Sequence, residues 1–238
     1  MDDDLNKQIA LVTGASSGIG QAIALALTQR GAIVCLLARN RQALAAAQKD
    51  LPGDTRLMPC DVSEDQQIWD LPGRIAREAG NVDILVHSAA AYFQAPLESA
   101  PVEEFDIQYR INLRAPYLLT QRLLPHLKQR PGQVVFINSS TGVVARPNVT
   151  QYAAVKHGLK GLADAFRAEV APAGIRVISV YPGQTATPMQ QRRHEIEGKA
   201  YHPEKLIQPA DVASAVVNAI AMPRTAVITD LHIRPFLK

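Results

Sequence analysis

Residues 9–20 read IALVTGASSGIG, a short apolar run that passes straight into a glycine-rich turn. Residues 9–12 are apolar without interruption, as in a strand buried on both faces. Gly14, Gly18 and Gly20 permit a tight turn and let backbone N–H groups come close to a phosphate. The alanine-rich stretch 19–30 follows as a helix, whose amino end offers partial positive charge. Strand, glycine turn and helix in that order suit a dinucleotide pyrophosphate, with Gly14, Ser16, Ser17, Gly18, Ile19 and Gly20 around it.

The same alternation continues along the chain. Residues 9–12, 33–38, 56–60, 84–86, 134–137, 176–180 and 226–231 read as strands. Helical patterns lie between them, among them 19–30, 41–50, 102–113 and 152–171, and Pro209 and Asp211 suit the first turn of another. Such alternation implies right-handed crossovers. The expected fold is α/β: a doubly wound Rossmann fold, with a mostly parallel seven-stranded sheet and helices on both faces. With no repeat or linker, residues 1–238 are expected to form a single domain.

Composition narrows the function classes. The 238 residues are 47% hydrophobic and 20% charged, with a net charge of only +3. The basic residues are scattered, so a pI near 8.9 gives little support to a nucleic-acid or membrane partner. Cys35 and Cys60 lie in apolar runs, as buried free thiols would. No stretch has the length of a membrane span, and the start, MDDDLNKQ, is acidic where a secretory signal is basic. A cytoplasmic protein is expected. No cluster of His, Cys and carboxylate suggests a metal.

A second stretch, residues 139–156, reads SSTGVVARPNVTQYAAVK. Tyr152 and Lys156 stand four apart, on one face of a helix. An ammonium beside a phenol favours the phenolate, bringing the tyrosine toward the range of an acid/base catalyst. Ser139 follows a strand, where α/β sheets deliver reactive groups, and its hydroxyl can hold a carbonyl oxygen. Ser139 with His157 would be a hydrolase pair, but no G-x-S-x-G elbow is present.

Ser139, Tyr152 and Lys156 resemble the catalytic set of the short-chain dehydrogenase/reductase family in its compact form. The spacing T-G-x-x-x-G-x-G at Thr13–Gly20 is similar to that family's glycine turn. Both the thirteen-residue step to Tyr152 and Gly142 three positions on favour Ser139 over Ser140. The resemblance implies that Ser139 donates to the substrate oxygen and Tyr152 transfers the proton. Lys156 then lowers the tyrosine pKa and reaches the nicotinamide ribose, while Asn112 holds a water that completes a proton relay. Asn112 otherwise reads as a polar interruption of a helix before Pro116.

The cofactor contacts follow in order. The second strand ends in Leu37-Ala38-Arg39-Asn40-Arg41, with no acid to hold a ribose 2′-hydroxyl. Arg39 suits a 2′-phosphate, with Arg41 as a helper or as the solvated start of a helix, so NADP(H) is expected over NAD(H). Asp61 and Val62 resemble the family's adenine-side element, and Asp61 can also cap a helix ahead of Glu64. Where the family shows N-N-A-G, this chain has His87-Ser88-Ala89-Ala90. Ser88 can still bond locally, Ala90 brings a methyl close to the ribose, and His87 reads as structural. Tyr181-Pro182-Gly183-Gln184-Thr185-Ala186-Thr187 resembles P-G-x-x-x-T. Thr187 then meets the carboxamide, with Pro182, Gly183 and Thr185 along the same edge.

The polar residues 188–208 resemble a substrate lid. In that lid Arg192 and Arg193 read as attractors of an anionic group or as a solvated helix face. Tyr92, Phe93, Val144, Arg146 and Met189 are candidate pocket residues, and the tail lacks the glycine-rich ending of ketoacyl reductases. The expected activity is NADP(H)-dependent hydride transfer on a small ketone or aldehyde, as a carbonyl reductase or alcohol dehydrogenase. The alternative is a non-catalytic dinucleotide sensor or scaffold. By resemblance, a homodimer or homotetramer is expected, with a small-molecule substrate, no nucleic acid and no membrane.

Overall fold

The structure, a computed structural model, describes residues 5–236; the acidic residues 2–4 lie outside the described residues. Strands β1 (Ile9–Thr13), β2 (Ile33–Ala38), β3 (Thr55–Pro59), β4 (Ile84–His87), β5 (Gln133–Ile137), β6 (Arg176–Pro182) and β7 (Asp230–Ile233) form one sheet. Their order is β3-β2-β1-β4-β5-β6-β7, and every pairing is parallel. The strand order reverses between β1 and β4, the switch point where open α/β sheets bind ligands at the strands' carboxyl ends.

All five residues of β1 are buried. The pleat sends Ala10 and Val12 to one core and Ile9 and Leu11 to the other. On the first face lie α1 (Gly18–Thr28) and α8 (Pro209–Ile220), which contribute Ile23, Leu27, Val212 and Val216. The second face is covered by α3 (Asp65–Glu78), α5 (Ala115–Gln129) and α6 (Thr150–Val170), through Ile68, Leu71, Leu119, Leu123 and Leu159. Helix α2 (Arg41–Gln48) follows β2, α4 (Val102–Tyr109) precedes α5, and α7 (Pro188–Ile196) follows β6. Cys35 and Cys60 are buried and unpaired, and burial raises the two thiols to about 12 and about 11 respectively.

Two elements depart from the expected spans. The last strand begins at Asp230 rather than at residue 226. Arg176 donates to the carbonyl of Ala226 and keeps it out of the ladder, whereas the Thr229 carbonyl, also held by Arg167, accepts the Ser179 N–H of β6. The helix expected over 102–113 is α4 followed by a π-helix, Arg110–Arg114, which runs on into α5. Pro116 brings no N–H to the ladder there, and the Ala115 N–H bonds the Arg110 carbonyl five residues back.

Candidate active site

The glycine turn closes against the loop after β4. Thr13 Oγ1 accepts from the N–H groups of Ser88 and Ala89 at 2.9 and 3.0 Å. Gly14 has φ +67°, and a Cβ on it would lie 2.9 Å from the Ala89 Cα and N. Close approach here is therefore met by Gly14, which leaves Ala90 free to carry its methyl. A Cβ on Gly20 would fall 2.4 Å from the Gly14 carbonyl oxygen. Gly20→Ala is accordingly expected to open the turn and cost about 1–3 kcal/mol of stability. Thermal unfolding would register both the lower Tm and the loss of any further shift on adding NADPH.

Ser17 is the extended N-cap of α1 and makes no side-chain cap bond, so the first-turn amides of the helix keep their capacity for an anion. Ser16, Gly18 and Ile19 complete that rim, and a Cβ on Gly18 would lie 3.1 Å from the Thr187 methyl. Thr187 caps α7, its Oγ1 accepting from the Gln190 N–H. Thr185 is buried and donates to the Gly183 carbonyl. Pro182 ends β6, and the Gly183 N–H goes to the Ile233 carbonyl. That amide serves the C-terminal segment and is not offered to the expected nicotinamide edge.

Arg39 is exposed at the end of β2, without a hydrogen-bond or ion-pair partner among the described residues, while Asn40 caps α2. Asp61 does not cap α3. Its Oδ1 takes the Ser63 N–H and hydroxyl, and the N-cap is Glu64. Val62 lines a narrow cavity with Thr13, His87, Ala89 and Pro116. His87 is buried, bonded to Thr120 at 2.8 Å and stacked on Phe136. Burial holds it neutral, with a pKa lowered to about 3.

Tyr152 and Lys156 rise from the first turns of α6, and both are buried. The Ser139 hydroxyl accepts from the Thr141 N–H at 3.1 Å and lies near enough to Tyr152 to favour its phenolate. No bond joins Ser140 to Tyr152. Lys156 Nζ lies 5.7 Å from the Tyr152 ring centroid and donates to the Ile137 carbonyl at 3.1 Å. The expected lowering of the tyrosine pKa is absent. Burial raises Tyr152 to about 12, against the lowering influence of Ser139, and lowers Lys156 to about 7. Desolvation sets both directions, because both groups are withdrawn from water together.

Asn112 is buried within the π-helix. Its Nδ2 donates to the Ala91 carbonyl and its Oδ1 accepts from the Ala91 N–H, at 2.8 and 2.9 Å. The side chain fixes the loop after β4 and makes no bond to Lys156. Asn138 escaped the sequence reading. Its Oδ1 accepts from the Ser139 N–H, and its Nδ2 donates to the Lys156 carbonyl, so one amide ties the two candidates together. Only its place immediately before Ser139 hinted at this. Tyr92 packs edge-on against Tyr152, with centroids 4.9 Å apart.

Residues 8–198 match the family described as short chain dehydrogenase. The chain belongs to the short-chain dehydrogenase family. An uncharacterized oxidoreductase of Staphylococcus epidermidis is 31% identical over 97% of this chain and 98% of its own. A metagenomic short-chain oxidoreductase solved in complex with NADP is 30% identical, with TM-score 0.84, covering 99% and 100% of the two chains. A short-chain type dehydrogenase/reductase from Mycobacterium marinum is 26% identical, with TM-score 0.89 over 98% and 96%. This member of the short-chain dehydrogenase family is thus an oxidoreductase with a Rossmann sheet. Among the described residues no helix is long and apolar enough to cross a membrane. Nor does any group of three or more His, Cys, Asp or Glu stand ready to hold a metal ion. A cleft of about 520 Å³ lies at the opposite, amino end of the sheet, between Asp83, Arg130 and Arg224. Its carboxylate is already committed, accepting the Ile9 N–H and pairing with Arg130 at 3.6 Å.

Proposed function

We propose that this chain transfers hydride between NADP(H) and a small ketone or aldehyde, as a carbonyl reductase or alcohol dehydrogenase. The observation that carries this reading is the gathering of Ser139, Tyr152 and Lys156 at the carboxyl end of β5, with Lys156 Nζ 5.7 Å from the Tyr152 ring and Asn138 tying Ser139 to Lys156. The glycine turn fits a dinucleotide: Gly14 and Gly20 let the backbone close to a distance no Cβ would allow, and the α1 first turn has no side-chain cap competing for its amides. Gly14, Ser16, Ser17, Gly18, Ile19 and Gly20 would hold the pyrophosphate, Asp61 and Val62 the adenine, and Ser88, Ala89 and Ala90 the ribose. Pro182, Gly183, Thr185 and Thr187 would border the nicotinamide. Bound there, the cofactor supplies or takes up the hydride.

The chain's own groups handle the oxygen and its proton. Ser139 donates to the carbonyl oxygen, a contribution typically worth ~10²–10³ in rate as negative charge develops. Tyr152, neutral across the working range, gives its proton to the forming alkoxide. Lys156 holds the ribose and assists the tyrosine. Asn112 keeps the Ala91 loop in place, and Asn138 keeps Ser139 against α6. Residues 188–208 close over the substrate, and the chain works as a single domain within a homodimer or homotetramer.

Arg39 supports NADP(H) over NAD(H), since its guanidinium is unpaired where a 2′-phosphate would sit. Arg39→Asp is expected to weaken NADPH by ~10²-fold and to leave NADH within a few-fold, because one charge-assisted phosphate contact is worth ~1.5–3 kcal/mol. Titration of both cofactors checks it, and equal losses would count against the 2′-phosphate contact.

A further inference from the structure

Four side chains stand in a column that runs outward from the proposed catalytic centre. Lys156 Nζ lies 5.7 Å from the Tyr152 ring, Tyr92 4.9 Å beyond it, and the Arg193 guanidinium 5.6 Å over Tyr92. The outer half of this column is held by one carboxylate. Glu197 Oε1 accepts from Arg193 Nε at 2.7 Å and from Gln94 Nε2 at 3.1 Å, while its Oε2 takes Lys199 Nζ at 2.7 Å. Gln94 in turn accepts the hydroxyl of Tyr92. Glu197 therefore bonds Gln94 on the loop after β4 and Arg193 on α7, and these two fix Tyr92, one by its hydroxyl and one over its ring.

Exposed ion pairs usually stabilise little. This one differs in two respects. The Glu197 side chain is only 16% exposed and that of Arg193 only 23%. Moreover, α7 buries none of its residues, so no apolar seam holds it to the body of the protein. Polar contacts must seat it, and those of Glu197 reach furthest inward. Lys199 first, then Arg193 and Gln94, hold the carboxyl down to about 2, so it stays ionised at any ordinary pH.

We infer that Glu197 is a positioning residue, which seats α7 and, through Gln94 and Arg193, clamps Tyr92 against Tyr152 so that the proton-transferring hydroxyl stays in its dry, fixed place. The catalytic consequence rests on the hydride-transfer reading; the clamp itself does not. Loss of Glu197 frees Gln94 and Arg193 together, lets Tyr92 swing away and admits water to Tyr152.

The test is nitration of Tyr152 by tetranitromethane in the cofactor-free protein, followed by mass spectrometry of its peptide, with the exposed Tyr117 as internal reference. In the wild type Tyr152 is expected to label slowly. Glu197→Ala should label it about tenfold faster, as expected when charge-assisted bonds that keep a segment closed are lost. Glu197→Gln, which keeps an acceptor, should restore most of the protection. In turnover, Glu197→Ala should lower kcat about tenfold with KM little changed. Gln94→Ala breaks the same bridge from the other side and should label like Glu197→Ala, which guards against a single misfolded variant. Equal labelling in wild type and both alanine variants would overturn the inference, as would wild-type Tyr152 labelling as fast as Tyr117. If labelling responds but turnover does not depend on Tyr152, the clamp stands and the hydride-transfer reading fails.

Discussion

Tyr152→Phe is expected to fold like the parent, to bind NADPH within a few-fold, and to lose turnover by ~10³–10⁴-fold, the range of a well-placed general acid. The phenyl ring keeps its edge contact with Tyr92 and its place in the core. Ser139 keeps the Thr141 N–H as a partner, so no buried hydroxyl is stranded. Only the transferable proton is removed. Cofactor titration and steady-state kinetics on the same preparation separate the two effects; substantial residual activity would refute the role of Tyr152 as the acid.

Lys156→Met should act in two directions at once. Turnover is expected to fall by ~10²-fold or more, as for loss of a group that positions a reactant and assists its acid. Stability without cofactor should rise. Lys156 is fully enclosed, its ammonium has one carbonyl partner, and burial lowers it from 10.5 to about 7. Between those two values the unfolded chain holds a proton that the folded protein has released, so wild-type stability climbs as pH rises through that window. Below pH 7 both states hold the proton and the wild type carries its full disadvantage. The methionine variant should therefore unfold a few degrees higher at pH 6, with the gap closing toward pH 10. Melting curves across that range check it. A gap that widened with pH would mean that the folded protein favours the lysine cation.

Six strands and the glycine turn were legible because continuous apolar runs and φ-positive glycines are local signals. The seventh starts later than expected because Arg176, 50 positions away, takes the Ala226 carbonyl, which no local pattern announces. Helices α3 and α5 were absent from the sequence reading, and both have a proline inside them, Pro72 and Pro125, a residue that ordinarily reads as a breaker. Ser139, Tyr152 and Lys156 were read together because their spacing resembles a family pattern; the i, i+4 step alone reads equally as a surface helix. The direction of the tyrosine shift was misread, because an i, i+4 ammonium is visible in a sequence and enclosure is not. The Glu197 clamp was hidden for a similar reason. It joins residues 103 positions apart, and within α7 alone Arg193 reads as a solvated face.

The most direct measurement uses NADPH deuterated at the transferring nicotinamide carbon, supplied to the wild-type protein with a broad panel of small ketones and aldehydes. The expected result is deuterium at the carbinol carbon of the alcohol product, from one face of the nicotinamide only, and none with Tyr152→Phe. Tight NADPH binding without label in any product would contradict hydride transfer to this class of carbonyl and favour a dinucleotide sensor on the same fold.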